Sequence, residues 1–304
     1  MTKISLKVLA VLTLLVSMTV LPWPKAAATP QQGEGDPAVL AKMQQINYQL
    51  QAMGLHLAVE EINFITIGNG RPANRIHQTG SRWVANDPRR FADGENITYL
   101  VDQSDGATSS GLTSAQTEAA LDNALSTWNA HKCLKKTNII KRADSGADPD
   151  IFDGFFGGSF GDPFLADIVE AGWLPPAFFE AAGGPGGGNG ILAFSVSFIF
   201  TDGFGNPTDI NNDHYLDTAL NEVYYNDNFG APGPRVGNPW GINIALPGID
   251  VETVGLHENG HSLGLGHFGP PPAAVMNPVY AGIRQTPLAT DSAGMCAVWG
   301  SWPK

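Results

Sequence analysis

The segment 257–267, which reads HENGHSLGLGH, constrains this chain more than any other feature. On an α-helix, residues four apart lie on one face, so His257 and His261 are predicted to direct two imidazole nitrogens towards one metal ion. Gly264 can adopt the left-handed backbone that ends a helix, which lets the chain turn back and makes His267 a third ligand. The fold is therefore expected to arrange the end of a helix and the loop after it around one ion.

Three protein ligands leave the fourth position of a tetrahedral zinc ion open, which is typical of catalytic sites, whereas structural zinc sites are closed by a fourth Cys or His. Glu258 follows His257 directly and lies about 100° further round the helix, where it is placed to contact a zinc-bound water instead of the ion. We therefore expect one catalytic Zn²⁺ held by His257, His261 and His267, with Glu258 as the general base.

The full pattern HExxHxxGxxH resembles the zinc signature of the metzincins, and neighbouring residues resemble their matrixin branch. Met276 lies where metzincins have a structural methionine turn, and Pro278 and Tyr280 are similar to the matrixin residues that wall the specificity pocket. The segment 184–194 is similar to the loop and edge strand that line the matrixin cleft. Its candidate peptide-binding residues are Gly190, Ile191, Leu192 and Ala193.

This resemblance implies an α+β fold with a twisted mixed sheet, an active-site helix and a small C-terminal subdomain. It implies a secreted zinc endopeptidase that acts on proteins or peptides as a monomer. Two features depart from the family pattern. Phe194 replaces the edge-strand histidine that holds a second, structural zinc in matrixins, and residues 29–92 contain no cysteine, which excludes a cysteine switch.

The first 28 residues are predicted to be a secretory signal peptide. Lys3 and Lys7 precede an apolar run, which Pro22 and Pro24 break before three alanines. The alternative is an uncleaved anchor helix, but the run is shorter than the roughly 18 to 20 apolar residues that a membrane span needs. We interpret residues 29–92 as an N-terminal extension or pro-segment and residues 93–304 as the catalytic domain.

The chain is acidic, with a formal net charge of −12, and loss of three lysines with the signal peptide would change this to −15. A negative field repels phosphate groups and anionic lipids, and no Lys/Arg-rich tract offsets it. Nucleic acids and membrane surfaces are therefore not expected as partners.

The two cysteines, Cys133 and Cys296, permit one disulfide in an exported protein. Two buried free thiols are the alternative. The polar segment around Asp209, Asn211, Asp213 and Asp217 has oxygen ligands at spacings seen in calcium loops, although the full loop signature is missing. A solvated acidic turn explains this segment equally simply, so Ca²⁺ is only a candidate second ion.

The pattern of apolar residues predicts strands over 55–67, 97–101, 137–142 and 191–201, and helices over 37–53 and 113–131. Thr113 and Gln116 form a predicted capping box. The segments 68–90, 143–190 and 202–217 are predicted to be connections, and the glycine-rich tract 183–190 is predicted to be irregular.

Two other function classes remain open from the sequence. One is a binding or adhesion protein that keeps zinc without turnover, which requires Glu258 to be idle. The other is a zinc hydrolase that does not cleave proteins, which the third histidine and Met276 disfavour.

Overall fold

The computed structural model describes residues 37–68, 80–233 and 235–303, so the predicted signal peptide lies outside the described residues. Within these residues no helix is long and apolar enough to cross a membrane. The helices are α1 (Pro37–Ala52), α2 (Ser114–Asn129), α3 (Pro176–Gly183), α4 (Gly187–Gly190), α5 (Val251–Ser262) and α6 (Ala289–Trp299). The strands are β1 (Leu57–Thr66), β2 (Ser81–Arg82), β3 (Ile97–Val101), β4 (Ile139–Lys141), β5 (Ile168–Leu174), β6 (Ile191–Phe200), β7 (Leu216–Asn226), β8 (Trp240–Gly241) and β9 (Ile249–Asp250).

Seven of these strands form one mixed sheet in the order β1-β6-β7-β5-β3-β4, with β2 paired to β7. The β1–β6 and β6–β7 pairs are antiparallel, and the other pairs are parallel. One hydrophobic cluster contains buried residues of α2, α5 and α6, and a second contains buried residues of α1 and α3. The predicted α+β fold is therefore confirmed.

Helix α2 shows how the local sequence determines an element. The Thr113 N–H donates to the Gln116 side chain at 3.0 Å, so the predicted capping box is present. The predicted apolar face, which contains Leu121, Ala124, Leu125 and Trp128, is fully buried. Burial of that stripe fixes α2 against α5, the helix that carries His257 and His261.

Several predicted connections are wrong. Strand β5 lies in a segment predicted to be a loop, the first two residues of β7 lie in another, and one turn of helix, α4, lies in the glycine-rich tract. The segment after Gly80 is not exposed either, because Trp83 and Arg90 are 3% and 4% exposed. Arg90 donates to both oxygens of Asp167, a buried carboxylate at the start of β5. A charged pair of this kind cannot be recognised from apolar periodicity.

The predicted disulfide between Cys133 and Cys296 is present, with the two Cα atoms 5.1 Å apart. It links the segment after α2 to helix α6, which follows the active-site segment. The bridge spans 163 positions of the chain. It therefore ties the C-terminal helix to the segment between α2 and β4.

Candidate metal centre

Helix α5 begins at a polar cap and supports the whole site. The Asp250 carboxylate accepts hydrogen bonds from the Thr253 N–H at 3.0 Å and the Thr253 hydroxyl at 2.7 Å. This satisfies backbone donors that the first turn of a helix leaves free. The Tyr280 hydroxyl accepts from the Asp250 N–H at 2.9 Å, which joins the start of α5 to the segment after the methionine turn.

The other end of α5 turns sharply at Gly264, whose φ of 87° lies in the left-handed region that the sequence predicts for it. The Leu265 N–H reaches back to the Gly260 carbonyl at 2.9 Å. Two indole N–H groups, of Trp83 and Trp299, donate to the Ser262 and Leu263 carbonyls at 2.8 and 2.9 Å. These contacts satisfy carbonyls at the helix end and fix the direction in which the chain leaves it.

This turn brings the three predicted ligands together. The Nε2 atom of His261 lies 3.1 Å from that of His257 and 3.2 Å from that of His267, and the third separation is 3.3 Å. For a tetrahedral zinc with Zn–N distances of 2.0–2.1 Å, ligand nitrogens are expected about 3.3 Å apart. The spacing of the three imidazoles therefore fits one zinc ion.

Hydrogen bonds of the opposite ring nitrogens support the same assignment. The Nδ1 atoms of His257 and His261 each lie 2.7 Å from a carbonyl oxygen, of Val275 and Leu265, which can only accept. Both Nδ1 atoms therefore carry the proton, and both Nε2 atoms present lone pairs to each other. Burial lowers the pKa of His257 to about 4 and lowers the pKa values of His261 and His267 well below their ordinary range. Neutral imidazoles with facing lone pairs repel unless a cation lies between them, so the donor set fits a metal.

Glu258 is fully buried beside this cluster. Desolvation raises its pKa well above the ordinary value, and the charge of Glu170 raises it further. Neither carboxylate oxygen makes a hydrogen bond of good geometry within the described chain, although Ser195 and the Ile65 N–H are close enough to lower the pKa. A buried carboxylate without strong hydrogen-bond partners is suited to act as a base, because binding a proton removes the free-energy cost of its buried charge.

The methionine turn lies directly under α5. Met276 is 2% exposed, and its sulfur would collide with any Cβ added at Gly260. The Asp291 carboxylate of α6 accepts hydrogen bonds from the N–H groups of Val275 and Met276 at 2.9 and 3.1 Å. The turn is therefore held from above by the helix and from below by α6.

The matrixin family model matches residues 90–300, which is more than half of the chain and includes every element from β3 to α6. The chain belongs to the matrixin family. Matrixins are zinc metalloproteases, so the general function of the chain is zinc-dependent cleavage of peptide bonds in proteins or peptides. A search among curated proteins found no match to the chain.

The predicted peptide-binding residues of this matrixin lie at the end of α4, in β6 and after the methionine turn, but these segments already bind another part of the same chain. The Ile67 N–H donates to the Gly190 carbonyl at 2.9 Å, and Ile191 and Ala193 pair with residues of β1. Leu192 is buried in the cluster that contains α5. Pro278 and Tyr280 also hydrogen bond to Thr66 through their backbones.

The three acidic calcium candidates do not form one cluster of ligand atoms in the described part of the chain. Asp217 is fully buried, and its carboxylate accepts from Arg89 at 2.7 Å, from Thr208 and from the Ile210 N–H. Asp209 accepts from the backbone N–H groups of residues 213 and 214. Within the described residues Asp209, Asp213 and Asp217 form no group of clustered ligand atoms, and the carbonyl oxygen of the Asn211 side chain is buried. The structure gives this ion no support.

Several supporting residues were not identified from the sequence. Trp83 and Trp299 complete the helix end, Asp291 anchors the methionine turn, and Glu170 accepts from Tyr225 and Asn259 at 2.7 and 2.5 Å near Glu258. A buried indole N–H or carboxylate needs a hydrogen-bond partner, so such a residue in a sequence indicates that a polar group lies opposite it in the fold. The identity of that partner depends on long-range contacts that no local pattern contains.

Proposed function

We propose that this matrixin is a secreted endopeptidase in which His257, His261 and His267 hold one zinc ion and Glu258 is the general base. The observation that carries the proposal is the convergence of three histidine Nε2 atoms within 3.1–3.3 Å beside a buried carboxylate of the same helix. The basic start, the apolar run of the N-terminus and the disulfide support export, because disulfides persist in oxidising compartments.

Zinc bound at these nitrogens would lower the pKa of a water molecule and polarise the carbonyl of the bond to be cleaved. Glu258 accepts the proton of the attacking water and delivers it to the leaving amine. Its buried position keeps the carboxylate away from bulk solvent. The carbonyls of Val275 and Leu265 orient His257 and His261, which keeps their Nε2 atoms available as ligands.

An extended substrate would bind through the backbone. The Gly190 and Pro278 carbonyls and the Tyr280 N–H supply hydrogen-bonding groups on two sides of the cleft. Recognition of this kind gives affinity with little dependence on sequence, and side-chain preference then comes from the pocket walls. Casein, an unstructured protein, is therefore a suitable test substrate.

The test compares casein cleavage by the zinc-loaded chain with cleavage by Glu258→Gln, after equal incubation with zinc. Loss of the general base should lower kcat by about 10²- to 10⁴-fold, while bound zinc, measured by mass spectrometry of the metal, stays at one per chain. Glu252→Gln is the matched control, since Glu252 lies on the same helix and is partly exposed. Full activity of a folded Glu258→Gln protein would overturn the assignment of the base.

A further inference from the structure

Strand β1 covers the strand that the sequence predicts as the free, peptide-binding edge of the sheet. It pairs antiparallel with β6 over almost its whole length, from the Leu57–Phe200 pair to the Thr66–Ile191 pair. Because β1 is itself the outermost strand in the sheet order, β6 has partners on both sides. The edge on which an extended peptide would bind is therefore occupied by the chain's own residues.

The end of β1 is held on two sides. The Thr66 N–H donates to the Pro278 carbonyl at 3.0 Å, and the Tyr280 N–H donates to the Thr66 carbonyl at 2.9 Å. One residue later, the Ile67 N–H donates to the Gly190 carbonyl at 2.9 Å. Residues 66–67 thus lie between β6 and the segment after the methionine turn, using the same backbone groups that we assign to substrate binding.

The side chains of β1 alternate between the two faces of the sheet. Phe64 packs against Phe194 with ring centroids 5.4 Å apart, on the side away from α5. Ile65 is 2% exposed and belongs to the cluster that contains the residues of α5. Helix α5 packs against β1, and the backbone N–H of Ile65 lies beside the Glu258 carboxyl. The nitrogen next to the general base is therefore that of the Phe64–Ile65 peptide bond.

The ladder between β1 and β6 is irregular at this point. Ile65 pairs with Ala193 whereas Thr66 pairs with Ile191, so Leu192 has no residue opposite it. A bulge interrupts the ladder locally and re-aims the backbone, and such bulges are frequent beside active sites. The peptide bond beside Glu258 thus lies one residue before a break in the strand pairing.

We propose that β1 is the enzyme's own first substrate, bound in the peptide cleft, and that hydrolysis of the Phe64–Ile65 bond opens the cleft. This inference rests on the function proposed above. Water oxygen bonds to the Phe64 carbonyl carbon, the C–N bond to Ile65 breaks, and Glu258 transfers the proton to the Ile65 nitrogen. The products are a carboxylate at Phe64 and an amine at Ile65, and no other reactant is needed. Until this step, β1 keeps the enzyme latent without any cysteine.

The first experiment follows the full chain after it is purified with a chelator and zinc is then added. We expect a fragment that begins at Ile65, identified by intact mass and N-terminal sequencing, while Glu258→Gln remains uncut. The rate constant should not change over a ten-fold dilution of protein, because the bond is cleaved within one molecule. Casein cleavage should begin after a lag that matches the loss of intact chain.

Two further measurements use variants at Thr66 and a synthetic peptide with the sequence of β1. Thr66→Pro removes the N–H that donates to Pro278, so it should loosen β1 and abolish the lag, whereas Thr66→Ala keeps that N–H and the lag. A synthetic peptide of residues 57–68 should be cut between Phe64 and Ile65 by the processed enzyme. The peptide assay needs no variant to fold.

The outcomes separate this inference from the proposed function. Immediate casein cleavage by chains that stay intact would show that β1 does not block the cleft. A new N-terminus elsewhere, or rapid casein cleavage by Thr66→Pro without any self-cleavage of the wild type, would overturn the Phe64–Ile65 assignment. If neither the wild type nor Thr66→Pro cleaves casein when loaded with zinc, the proposed endopeptidase function fails as well.

Discussion

At Gly260 the active-site helix approaches the methionine turn so closely that no side chain fits between them. A Cβ at this position would overlap the sulfur of Met276, and it would lie 3.4 Å from the Trp128 ring. Trp128 is fully buried and its indole N–H donates to the Leu256 carbonyl at 2.8 Å, so it has little freedom to move. The absence of a side chain at Gly260 is therefore a requirement of packing.

We expect Gly260→Ala to displace Met276 and the loop that carries His267. Overpacking of this kind costs about 1–3 kcal/mol of unfolding free energy, measured by urea denaturation with zinc present. The affinity for zinc, measured by competition with a chelating dye, should fall too. Gly237→Ala is the matched control, because a Cβ there meets no atom within 4 Å and the backbone is not left-handed. Equal stability of the two variants would contradict this account.

Among the elements, α6 is held in the fold by the disulfide between Cys133 and Cys296. The bridge closes a long loop, and its constraint on the unfolded chain corresponds to about 5 kcal/mol in the chain-entropy model. The double variant Cys133→Ser, Cys296→Ser should therefore melt about 10 °C or more below the wild type. Calorimetry with and without reductant tests this: reductant should lower the wild type to the variant's value and leave the variant unchanged. A reductant effect on the variant would contradict this assignment.

The elements also show what the sequence could and could not predict. The strand over 97–101 and the stripe of α2 were predicted correctly because their residues follow simple periodicities. Strand β7 was missed because it contains buried polar groups, among them Glu222 and Asn226, which interrupt the apolar run. Glu222 is satisfied by the N–H groups of Ile151 and Phe152, which are more than 65 positions away.

The candidate site was easier to predict than the strands around it. His257, His261 and His267 were brought together as predicted, because the helix spacing and the glycine turn are local features. The pairing of β1 with β6 was not predicted, since a strand sequence does not specify its partner. The boundary near residue 92 stays a prediction, although Trp83 and Arg90, which precede it, belong to the buried part of the molecule.

For the whole molecule, one buried carboxylate, Glu170, and two half-buried ones, Glu60 and Glu61, make folding stability depend on pH. Burial raises the pKa of Glu60 to about 8 and the pKa values of Glu61 and Glu170 to about 7, from an ordinary 4.5. Ser81 and Asn63 oppose the rise for Glu60 and Glu61 through side-chain hydrogen bonds. Below about pH 4.5 these groups are protonated in both the folded and the unfolded chain. As the pH rises above that value the unfolded chain releases protons first, so folding stability is progressively lost up to about pH 8.

We therefore expect the melting temperature of Glu258→Gln, which cannot cleave itself, to fall by about 5 °C between pH 5 and pH 8.5 with zinc present. Adding Glu60→Gln should reduce this dependence, because the neutral amide does not titrate, and Glu61 and Glu170 should account for the part that remains. Glu95→Gln, at an exposed position, should not alter it. A melting temperature that rises over the same range would contradict the raised pKa values.

The pairing of β1 with β6 also affects the lifetime of the protein after activation. While β1 is in place, the sheet ends at β1, which includes the acidic residues Glu60 and Glu61, and at β4, a strand of only three residues that carries Lys141. Ionisable side chains and a short edge strand discourage strand addition. Departure of β1 uncovers ten residues of β6, which are all buried in the intact chain and almost all apolar. Such an edge recruits other strands as readily as it binds substrate. The opened enzyme would therefore be more prone to aggregate than the intact chain. The edge of β6 that binds substrate would also limit how long the enzyme stays active.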